Sequence, residues 1–555
     1  MNKLFLTGAE SFKKIIAGNY FYVDKSLFIK ELLENRGEVT LITRPRRFGK
    51  SLNMSMLEHF FDVNMDSMEL FEGLGIMRHS DLIEKHMNKY PVAFLTLKNV
   101  EQAGYGSSIE RLKSVIAAAF RQYRYLYESD RLDQQQKEVY HSFLLKKSTE
   151  EELGTALLFL TECLYAYHGK GTVVLLDEYD APLTNALYKG FYEEMLEFMR
   201  SFMGSVFKSN KYLEFGVLTG VQRVSKEGLA SSFNNPLVCG IMDKTFAACF
   251  GFTESEVEGA CRAYGLGETY DDVKRWYDGY RFGGKDMYNP WSITGYLREK
   301  IFDEYWVSTG SVDMFKEMFL KGDTTLKNDV AGLIAGIPVM MYLEDGITYP
   351  VDYNNPDEFW TLLLNAGYLK PCNGAKKDKF GAELVNMEIR NIFSRYAKRW
   401  LEKQQPAIST AIAKFVGCLL SGDAEGVSAA LNDDLLNNPS CHDFNDENSY
   451  HMFIYGMLLA VSDGYTVHSN PETGKGRSDI LIKPMDKEKH AAAIEFKHVR
   501  GDGKDLKAEA LKGLEQIDKK AYVHKLKTEG YKRIHKYGIA FHKKNCEVVM
   551  DASGL

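Results

Sequence analysis

The sequence lacks several features that would mark particular classes of protein. No two of its eight cysteines form a C-x-x-C pair, which argues against zinc ribbons and redox-active thiol pairs. Its longest uncharged apolar stretch, residues 331–343, falls short of the roughly 20 residues that a membrane-spanning helix requires. The N-terminal segment MNKLFLTGAESFKK has no apolar core of the length typical of a signal peptide. We therefore expect a cytoplasmic protein with reduced thiols and no membrane partner.

An overall excess of positive charge is also absent. The formal net charge of -7 at pH 7 excludes a globally basic nucleic-acid coat, although a local basic cleft stays open. From Cys441 onward lysine and arginine outnumber aspartate and glutamate, which indicates a separate C-terminal module. At 555 residues the chain is too long for one core. We predict three segments, with boundaries at 1–250, 251–438 and 439–555.

The stretch LITRPRRFGKSL, residues 41–52, resembles a phosphate-binding loop that has lost its first glycine. The pattern G-x-x-x-x-G-K-[ST] places glycine where this chain has Arg44. The preceding EVTLIT is apolar and β-branched, and the following KSLNMSMLEHFFD has apolar residues at helical spacing. This predicts a strand, a loop and a helix, with Pro45 fixing the entry of the loop instead of glycine. The alternative is a basic turn without a ligand.

The residues of this loop have predicted roles in binding ATP and magnesium. Gly49 permits the tight turn that directs backbone amides at phosphates. Lys50 is expected to reach the β- and γ-phosphates, and Ser51 to ligate magnesium. Either Arg46 or Arg47 adds positive charge near the phosphates, or both face solvent. The predicted cofactor-binding residues of the loop are Arg46, Arg47, Phe48, Gly49, Lys50, Ser51 and Leu52.

A second apolar segment, GTVVLLDEYDAPL, ends in a group of acids. A carboxylate at such a strand end holds magnesium in P-loop NTPases. We therefore predict Asp177 as the magnesium-side residue and Glu178 as the residue that polarises the attacking water, with Asp180 supporting either. The alternative is a solvated acidic turn after a strand.

Two further apolar runs complete the predicted sheet. YPVAFLTL lies between the two motifs in sequence, and LEFGVLTGV follows them, which is the pattern of AAA-like ATPases. Thr219, at the end of the last run, is a candidate sensor of the γ-phosphate, and Arg223 is a candidate for stabilising transferred charge. The alternative for Thr219 is a strand-end threonine with a structural hydrogen bond.

The middle of the chain carries no catalytic pattern. Thr253 and Glu256 form a capping box ahead of an apolar-periodic helix, which predicts a helical lid after the ATPase core. The stretches VKRWYDGYRFGG and YNPWSITGYL are dense in aromatic residues and glycine. Domain packing is favoured for them over the stacking of nucleic-acid bases.

The segments GKGRSDILIKP and HAAAIEFKHV predict a hairpin near the C-terminus. Its pleat would bring Asp479, Glu495 and Lys497 together, with the last two on one face. Two carboxylates can hold a hard divalent cation, and the lysine can orient a water for phosphodiester hydrolysis. Glu447, on the preceding helix, is predicted to supply one more acid. The alternative is a surface hairpin with a cross-strand salt bridge.

After the hairpin, LKAEALKGLEQIDKKAY predicts a basic amphipathic helix that carries Gln516 and offers lysines to a nucleic-acid backbone. Taken together, the predicted catalytic residues are Glu178, Asp479, Glu495 and Lys497. The predicted metal ligands are Ser51, Asp177, Glu447, Asp479 and Glu495.

These motifs resemble two known families. YVDKSLFIKELL, ITRPRRFGKSLNMSML, LLDEYDAPL, LTGVQRVSKEGL and WYDGYRFGG with YNPWS resemble the AAA-ATPase-like family. GRSDILI with IEFKH resembles the PD-(D/E)XK nuclease domain often attached to it. The resemblance implies that RPRR is the family's normal loop. It also implies an α/β protein: a P-loop NTPase domain of AAA/ASCE type with a helical lid and middle region, and a small α/β nuclease-like domain.

Together these features predict an ATP-dependent, magnesium-requiring nuclease, with Mn²⁺ as an alternative metal at the nuclease site. DNA is favoured over RNA as the substrate, and mobile-element or defence biology is the expected setting. The alternatives are a nucleotide-dependent regulatory protein whose nuclease fold binds without cutting, and an ATPase that gates an RNase. The sequence leaves the oligomeric state open, with a homo-oligomer as one option.

Overall fold

The computed structural model describes most of the chain in two compact units. The first unit comprises Met1–Ser311 and Met340–Ile389, and the second comprises Val312–Val339 and Arg390–Leu555. The predicted boundaries at residues 250 and 438 remain predictions. The description leaves out residues 1–2, 224–235, 307–323, 345–354, 373–378, 405, 438–453, 455–457, 459–464, 470–471, 474–475, 478, 500–504, 543–544 and 554–555.

The first unit is built around a five-stranded parallel sheet in the order β2-β3-β4-β1-β5. All residues of VTLIT and TVVLLD, the strands that precede the loop and end in the acids, are buried. Such continuous apolar runs are typical of parallel strands covered by helices on both faces. The strands are β1 (Val39–Thr43), β2 (Val92–Thr96), β3 (Thr172–Asp177), β4 (Leu213–Gly220) and β5 (Leu237–Cys239). The four apolar runs singled out in the sequence are strands, which confirms the predicted order.

Twelve described helices lie before or between the strands of this sheet in the chain. Two short 3₁₀ turns, Gly75–Arg78 and Gly267–Thr269, accompany them. The helices up to the end of the sheet are α1 (Phe12–Ala17), α2 (Leu27–Asn35), α3 (Lys50–Phe61), α4 (Met68–Phe71), α5 (Ser80–His86), α6 (Tyr105–Gln122), α7 (Arg124–Glu128), α8 (Gln134–Leu144), α9 (Glu150–Gly154), α10 (Ala156–His168), α11 (Ala181–Lys189) and α12 (Tyr192–Phe207).

Residues after the parallel sheet form a mixed helical and strand region within the first unit. Helix α13 (Glu254–Ala263) begins at the predicted capping box, where Thr253 accepts from the Glu256 amide. A three-stranded antiparallel sheet in the order β6-β8-β7 accompanies the helices, so this region is not purely helical; the lid role stays a prediction. The remaining elements here are α14 (Tyr270–Tyr277), α15 (Pro290–Glu299), β6 (Phe252–Thr253), β7 (Tyr280–Phe282) and β8 (Lys285–Tyr288).

Between residues 324 and 437 the chain forms further helices and a small sheet of three strands. The helices are α16 (Thr324–Ala335), α17 (Pro356–Ala366), α18 (Met387–Gln404), α19 (Pro406–Ser421) and α20 (Ala424–Asn437). The sheet has the order β10-β11-β9, from β9 (Val339–Tyr342), β10 (Leu369–Pro371) and β11 (Lys379–Leu384). Among the described residues, none of the helices is long and apolar enough to cross a membrane.

The second unit contains a mixed five-stranded sheet in the order β12-β15-β16-β17-β18. The predicted hairpin is confirmed, because β15 and β16 pair antiparallel with Ile480 opposite Ile494. Strands β16 and β17 are parallel, and Glu495 lies opposite Gly538. The strands of this sheet are β12 (Tyr465–Ser469), β15 (Ile480–Pro484), β16 (Ala491–His498), β17 (Ile534–His542) and β18 (Asn545–Ser553). A separate pair consists of β13 (Glu472–Thr473) and β14 (Gly476–Arg477). The helices are α21 (Leu506–Lys519) and α22 (Val523–Thr528).

Candidate functional site

The phosphate-loop sequence lies between β1 and α3, as the sequence predicts. Gly49 is the N-cap of α3 with a left-handed φ of 83°, a conformation that glycine adopts without steric cost. Lys50 follows as the first residue of the helix and is buried. Its Nζ donates to the carbonyls of Arg44 and Pro45, both at 3.2 Å. The same Nζ lies 3.3 Å from Glu178 Oε1 on the neighbouring strand end.

Arg44, which stands where the pattern has glycine, turns its side chain into the protein. Its guanidinium is completely buried and donates to the carbonyls of Cys239, Gly240 and Phe246 at 3.0, 3.0 and 3.1 Å. A further bond reaches its neighbour Thr43 at 2.8 Å. Burial lowers the pKa of Arg44 to about 10, so the group stays charged at neutral pH. This arginine therefore connects the loop to the last residue of β5 and to the chain that follows it.

Asp177 joins the phosphate loop to two neighbouring strands. Its Oδ2 accepts from Ser51 Oγ at 2.6 Å, and its Oδ1 accepts from Thr219 Oγ1 at 2.6 Å. Burial and the charge of Glu178 raise its pKa, while these hydrogen bonds lower it. Three residues predicted from separate motifs thus lie in direct contact at the carboxyl edge of the parallel sheet, where open α/β sheets bind ligands.

The two acids after Asp177 differ in their surroundings. Glu178 has a φ of 53°, a left-handed conformation that is uncommon for a residue with a side chain. Asp180 is buried and accepts from the amides of Val221 and Gln222 at 3.0 and 2.7 Å. Burial, followed by the charge of Glu178, raises its pKa to about 6. Asp180 therefore joins the ends of β3 and β4, whereas Glu178 faces Lys50.

The remaining predicted residues of the nucleotide site lie around the loop. Arg46 and Arg47 are exposed, and the Arg47 guanidinium lies 4.1 Å from the centre of the Trp291 ring. Phe48 is buried, with its ring centre 4.8 and 5.1 Å from those of Tyr280 and Phe282. Leu52 and Arg223 are half-buried. The structure therefore brings Lys50, Ser51, Asp177, Glu178 and Thr219 together and sets the other residues around them.

In the second unit, Asp479, Glu495 and Lys497 meet at the β15–β16 hairpin. Asp479 Oδ2 accepts from the Phe496 amide at 2.6 Å. Lys497 Nζ lies 3.2 Å from Glu495 Oε1 and donates to the Phe496 carbonyl at 2.8 Å. Burial, followed by the charge of Asp479, raises the pKa of Glu495 to about 7. The predicted trio is thus a cluster of two mutually repelling carboxylates beside one ammonium group.

This carboxylate pair fits a divalent cation. Glu495 Oε2 is buried and has no hydrogen-bond partner in the described part of the chain, which is costly unless a further group compensates it. Oxygen ligands of this kind suit Mg²⁺ and Mn²⁺. No group of three or more His, Cys, Asp or Glu side chains with ligand geometry occurs among the described residues. Glu447, the predicted additional ligand, lies outside them.

Comparison with known families matches two regions of the chain. Residues 7–230 match a family described as "Predicted AAA-ATPase", and residues 445–551 match the PD-(D/E)XK nuclease superfamily. The chain therefore contains an AAA-ATPase-like domain and a C-terminal domain of the PD-(D/E)XK nuclease superfamily. It is also similar to an "Uncharacterized protein in vnfD 5'region" of Azotobacter chroococcum mcd 1, with 24% identity over 98% of this chain and 97% of that protein.

In the nuclease domain, sequence reasoning named Gln516 but missed its contacts with Glu495 and Tyr522. Gln516 Nε2 donates to Glu495 Oε1 and lies 3.3 Å from the Tyr522 hydroxyl. The signal was the helical spacing of α21, because Gly513 and Ile517 are buried against the sheet and Gln516 lies on the same side. The sequence predicted the helix that carries Gln516, but the bond from this side chain to Glu495 depends on packing between α21 and β16.

In the AAA-ATPase-like domain, sequence reasoning missed the partners of the loop backbone. The Arg46 carbonyl accepts from Trp306 Nε1 at 3.0 Å and from Asn289 Nδ2 at 3.4 Å. Both partners follow the matched residues 7–230 in the chain. No local pattern could have found them, because they lie more than two hundred residues from the loop in sequence.

Proposed function

We propose that the AAA-ATPase-like domain binds and hydrolyses ATP with magnesium. The observation that carries this proposal is the direct contact of Ser51, Asp177 and Thr219 beside the buried Lys50. Ser51 and Asp177 would hold the magnesium ion, and Thr219 would sense the γ-phosphate through the same carboxylate. A bound magnesium ion would neutralise charge on the phosphate oxygens.

Glu178 and Lys50 have complementary roles in this proposal. Lys50 exchanges its present partners, two loop carbonyls and Glu178, for the β- and γ-phosphates. Glu178 is then released to orient the attacking water. Arg223 stays the proposed cation for transferred charge, because it lies close after the end of β4 at Gly220.

We also propose that the nuclease domain hydrolyses phosphodiester bonds, with DNA favoured over RNA. Asp479 and Glu495 would hold Mg²⁺ or Mn²⁺, which would activate water and polarise the phosphate. Lys497 would orient that water, and Gln516 would hold the carboxylate of Glu495. The unpartnered oxygen of Glu495 supports this assignment. ATP turnover is proposed to control cleavage; a homo-oligomer and a setting in mobile-element or defence biology stay predictions.

The ATPase proposal is tested by Lys50→Ala. We expect turnover of ATP to fall by about 100-fold or more, because the phosphates lose their principal cation. Phosphate release from ATP at a fixed magnesium concentration measures this. The control is Lys208→Ala, which removes an exposed lysine outside the site. Undiminished turnover in Lys50→Ala would refute the assignment of the loop.

The nuclease proposal is tested by Asp479→Asn and Lys497→Ala. We expect cleavage of labelled DNA with Mg²⁺ or Mn²⁺ to fall by about 10²- to 10³-fold in each. Matched controls are Asp486→Asn and Lys532→Ala, which change exposed residues of the same domain. The same assay on labelled RNA decides between the two substrates. If the wild-type protein cuts neither, the proposal of phosphodiester hydrolysis is wrong.

A further inference from the structure

The phosphate loop is held from its outer side by residues that follow the AAA-ATPase-like sheet. The Arg46 carbonyl receives two donors, Trp306 Nε1 at 3.0 Å and Asn289 Nδ2 at 3.4 Å. Both donors are buried, at 6% and 0% exposed. All three residues belong to the first compact unit. A buried two-donor contact to one carbonyl restrains the peptide group between Arg46 and Arg47.

This restraint acts on the part of the loop that binds anions. In a trans peptide the C=O bond and the following N–H bond lie in one plane and point in opposite directions. Fixing the Arg46 carbonyl therefore fixes the direction of the Arg47 amide, and phosphate loops bind their ligand through such amides. Arg47 has a left-handed φ of 70°, which residues with a side chain adopt only when surrounding contacts hold them there.

The two donors are themselves held in place. The Trp306 amide donates to Glu388 Oε1 at 2.5 Å, and Ser292 Oγ donates to Glu388 Oε2 at 2.8 Å. Asn289 Oδ1 caps helix α15 by accepting from the amides of Trp291 and Ser292. Glu388 therefore connects the start of α15 to Trp306, and the donors form one bonded unit.

We propose that Trp306 and Asn289 are positioning residues that hold the phosphate loop in its nucleotide-binding conformation, with Glu388 holding Trp306 in turn. We call Asn289, Trp306 and Glu388 the loop clamp. This proposal rests on the nucleotide site proposed above. The loop clamp lies outside the matched AAA-ATPase residues 7–230, so a segment beyond them acquires a role in ATP binding. Binding of ATP to the loop would in turn be felt by this segment.

The test replaces each donor by a residue that keeps its packing or capping role. Trp306→Phe keeps an aromatic ring beside Tyr368, its neighbour at 5.0 Å, but has no N–H. Asn289→Ser keeps a capping oxygen and removes the amide donor. Since one hydrogen bond contributes a factor of roughly 2 to 10, we expect each variant to bind a fluorescent ATP analogue about 2- to 10-fold more weakly. KM for ATP should rise by the same factor while kcat changes little.

The matched control is Trp276→Phe. Trp276 stacks on Phe302 at 5.8 Å in the same region but does not contact the loop in the described structure. Amide hydrogen exchange provides the second readout: residues 44–49 should exchange faster in Trp306→Phe and Asn289→Ser than in Trp276→Phe. A merely structural role would lower Tm in all three variants and leave the KM for ATP unchanged, which would overturn the clamp.

Failure of the clamp and failure of the nucleotide site give different results. If the wild-type protein binds ATP, Lys50→Ala does not, and both clamp variants bind like the wild type, the clamp is wrong and the nucleotide site stands. If the wild-type protein and Lys50→Ala both fail to bind the analogue, the nucleotide site itself is wrong and the clamp falls with it.

Discussion

At the scale of single residues, the two candidate sites differ in how one buried carboxylate in each is hydrogen-bonded. In the AAA-ATPase-like domain, each carboxylate oxygen of Asp177 accepts one short hydrogen bond. In the nuclease domain, Glu495 is 3% exposed yet retains one oxygen without a partner in the described structure. A buried carboxyl with an unpartnered oxygen favours its protonated form unless a cation binds to it.

The first residue-scale prediction concerns the pH dependence of metal binding. Because the pKa of Glu495 is raised to about 7 and a carboxylate must be deprotonated to ligate a cation, Mg²⁺ affinity should rise between pH 6 and pH 8. Calorimetric titration with Mg²⁺ across this range, on the wild type and on Glu495→Gln, measures the effect. A wild-type affinity that is flat across this window would contradict the assignment.

The same carboxyl makes a prediction about stability. Its folded pKa lies above its ordinary value, so its stabilising contribution is present at low pH and is lost as pH rises through about 7. Without metal, Glu495→Gln should therefore be more stable than the wild type at pH 8, by on the order of 1–3 kcal/mol. Urea unfolding at pH 5 and pH 8 checks this, and equal differences at both pH values would count against it.

At the scale of secondary-structure elements, the position of α21 depends on the absence of a side chain in β17. A Cβ at Gly538 would collide with the Ala510 carbonyl and lie 2.8 Å from the Leu514 amide nitrogen. The close approach that this glycine permits places Gln516 against Glu495. The spacing between α21 and the sheet thus determines how Gln516 and Glu495 lie relative to each other.

Gly538→Ala should therefore impair both stability and cleavage. Since α21 must move away from the sheet, we expect a loss of about 1–3 kcal/mol in the free energy of unfolding, and slower cleavage because Gln516 moves with the helix. The control is Gly417→Ala on α19, where a Cβ meets nothing within 4 Å and alanine favours the helix. Full cleavage activity in Gly538→Ala would show that the spacing does not matter.

Prediction from sequence succeeded where local pattern determines structure. The buried apolar runs gave β1 and β3, and the FGKS stretch gave the turn at Gly49 and the start of α3, because period and turn chemistry act over a few residues. The fate of Arg44 could not be predicted, since its partners Cys239 and Phe246 are about two hundred residues away. Contacts of that range depend on the assembled fold.

At the scale of the whole molecule, the chain joins an ATPase-like domain and a nuclease-superfamily domain in one polypeptide. The similar protein from Azotobacter chroococcum aligns over 97% of its own length, so the similarity includes the segment between the two matched regions. That segment contains Asn289 and Trp306, which contact the phosphate loop. The segment that lies between the two matched regions in sequence therefore includes residues that contact the loop.

If ATP controls cleavage, the effect must pass through Lys50. We expect ATP to change the rate of DNA cleavage by the wild-type protein by roughly 5- to 150-fold, the usual range of coupling between two sites. Lys50→Ala should cut at one rate with and without ATP. A time course of cleavage at saturating metal measures this. Equal rates for the wild-type protein under both conditions would mean that the two domains act independently.

The buried Arg44 also bears on how such chains are recognised. Restoring the usual glycine at this position would improve the match to the pattern, but it would leave the carbonyls of Cys239, Gly240 and Phe246 without the donor that joins them. A glycine at position 44 would thus bring the sequence closer to the common motif but remove hydrogen bonds that hold the loop. A sequence motif that requires the first glycine will therefore miss loops of this kind. In this protein Arg44 occupies the position of that glycine, and its buried side chain holds the loop through hydrogen bonds.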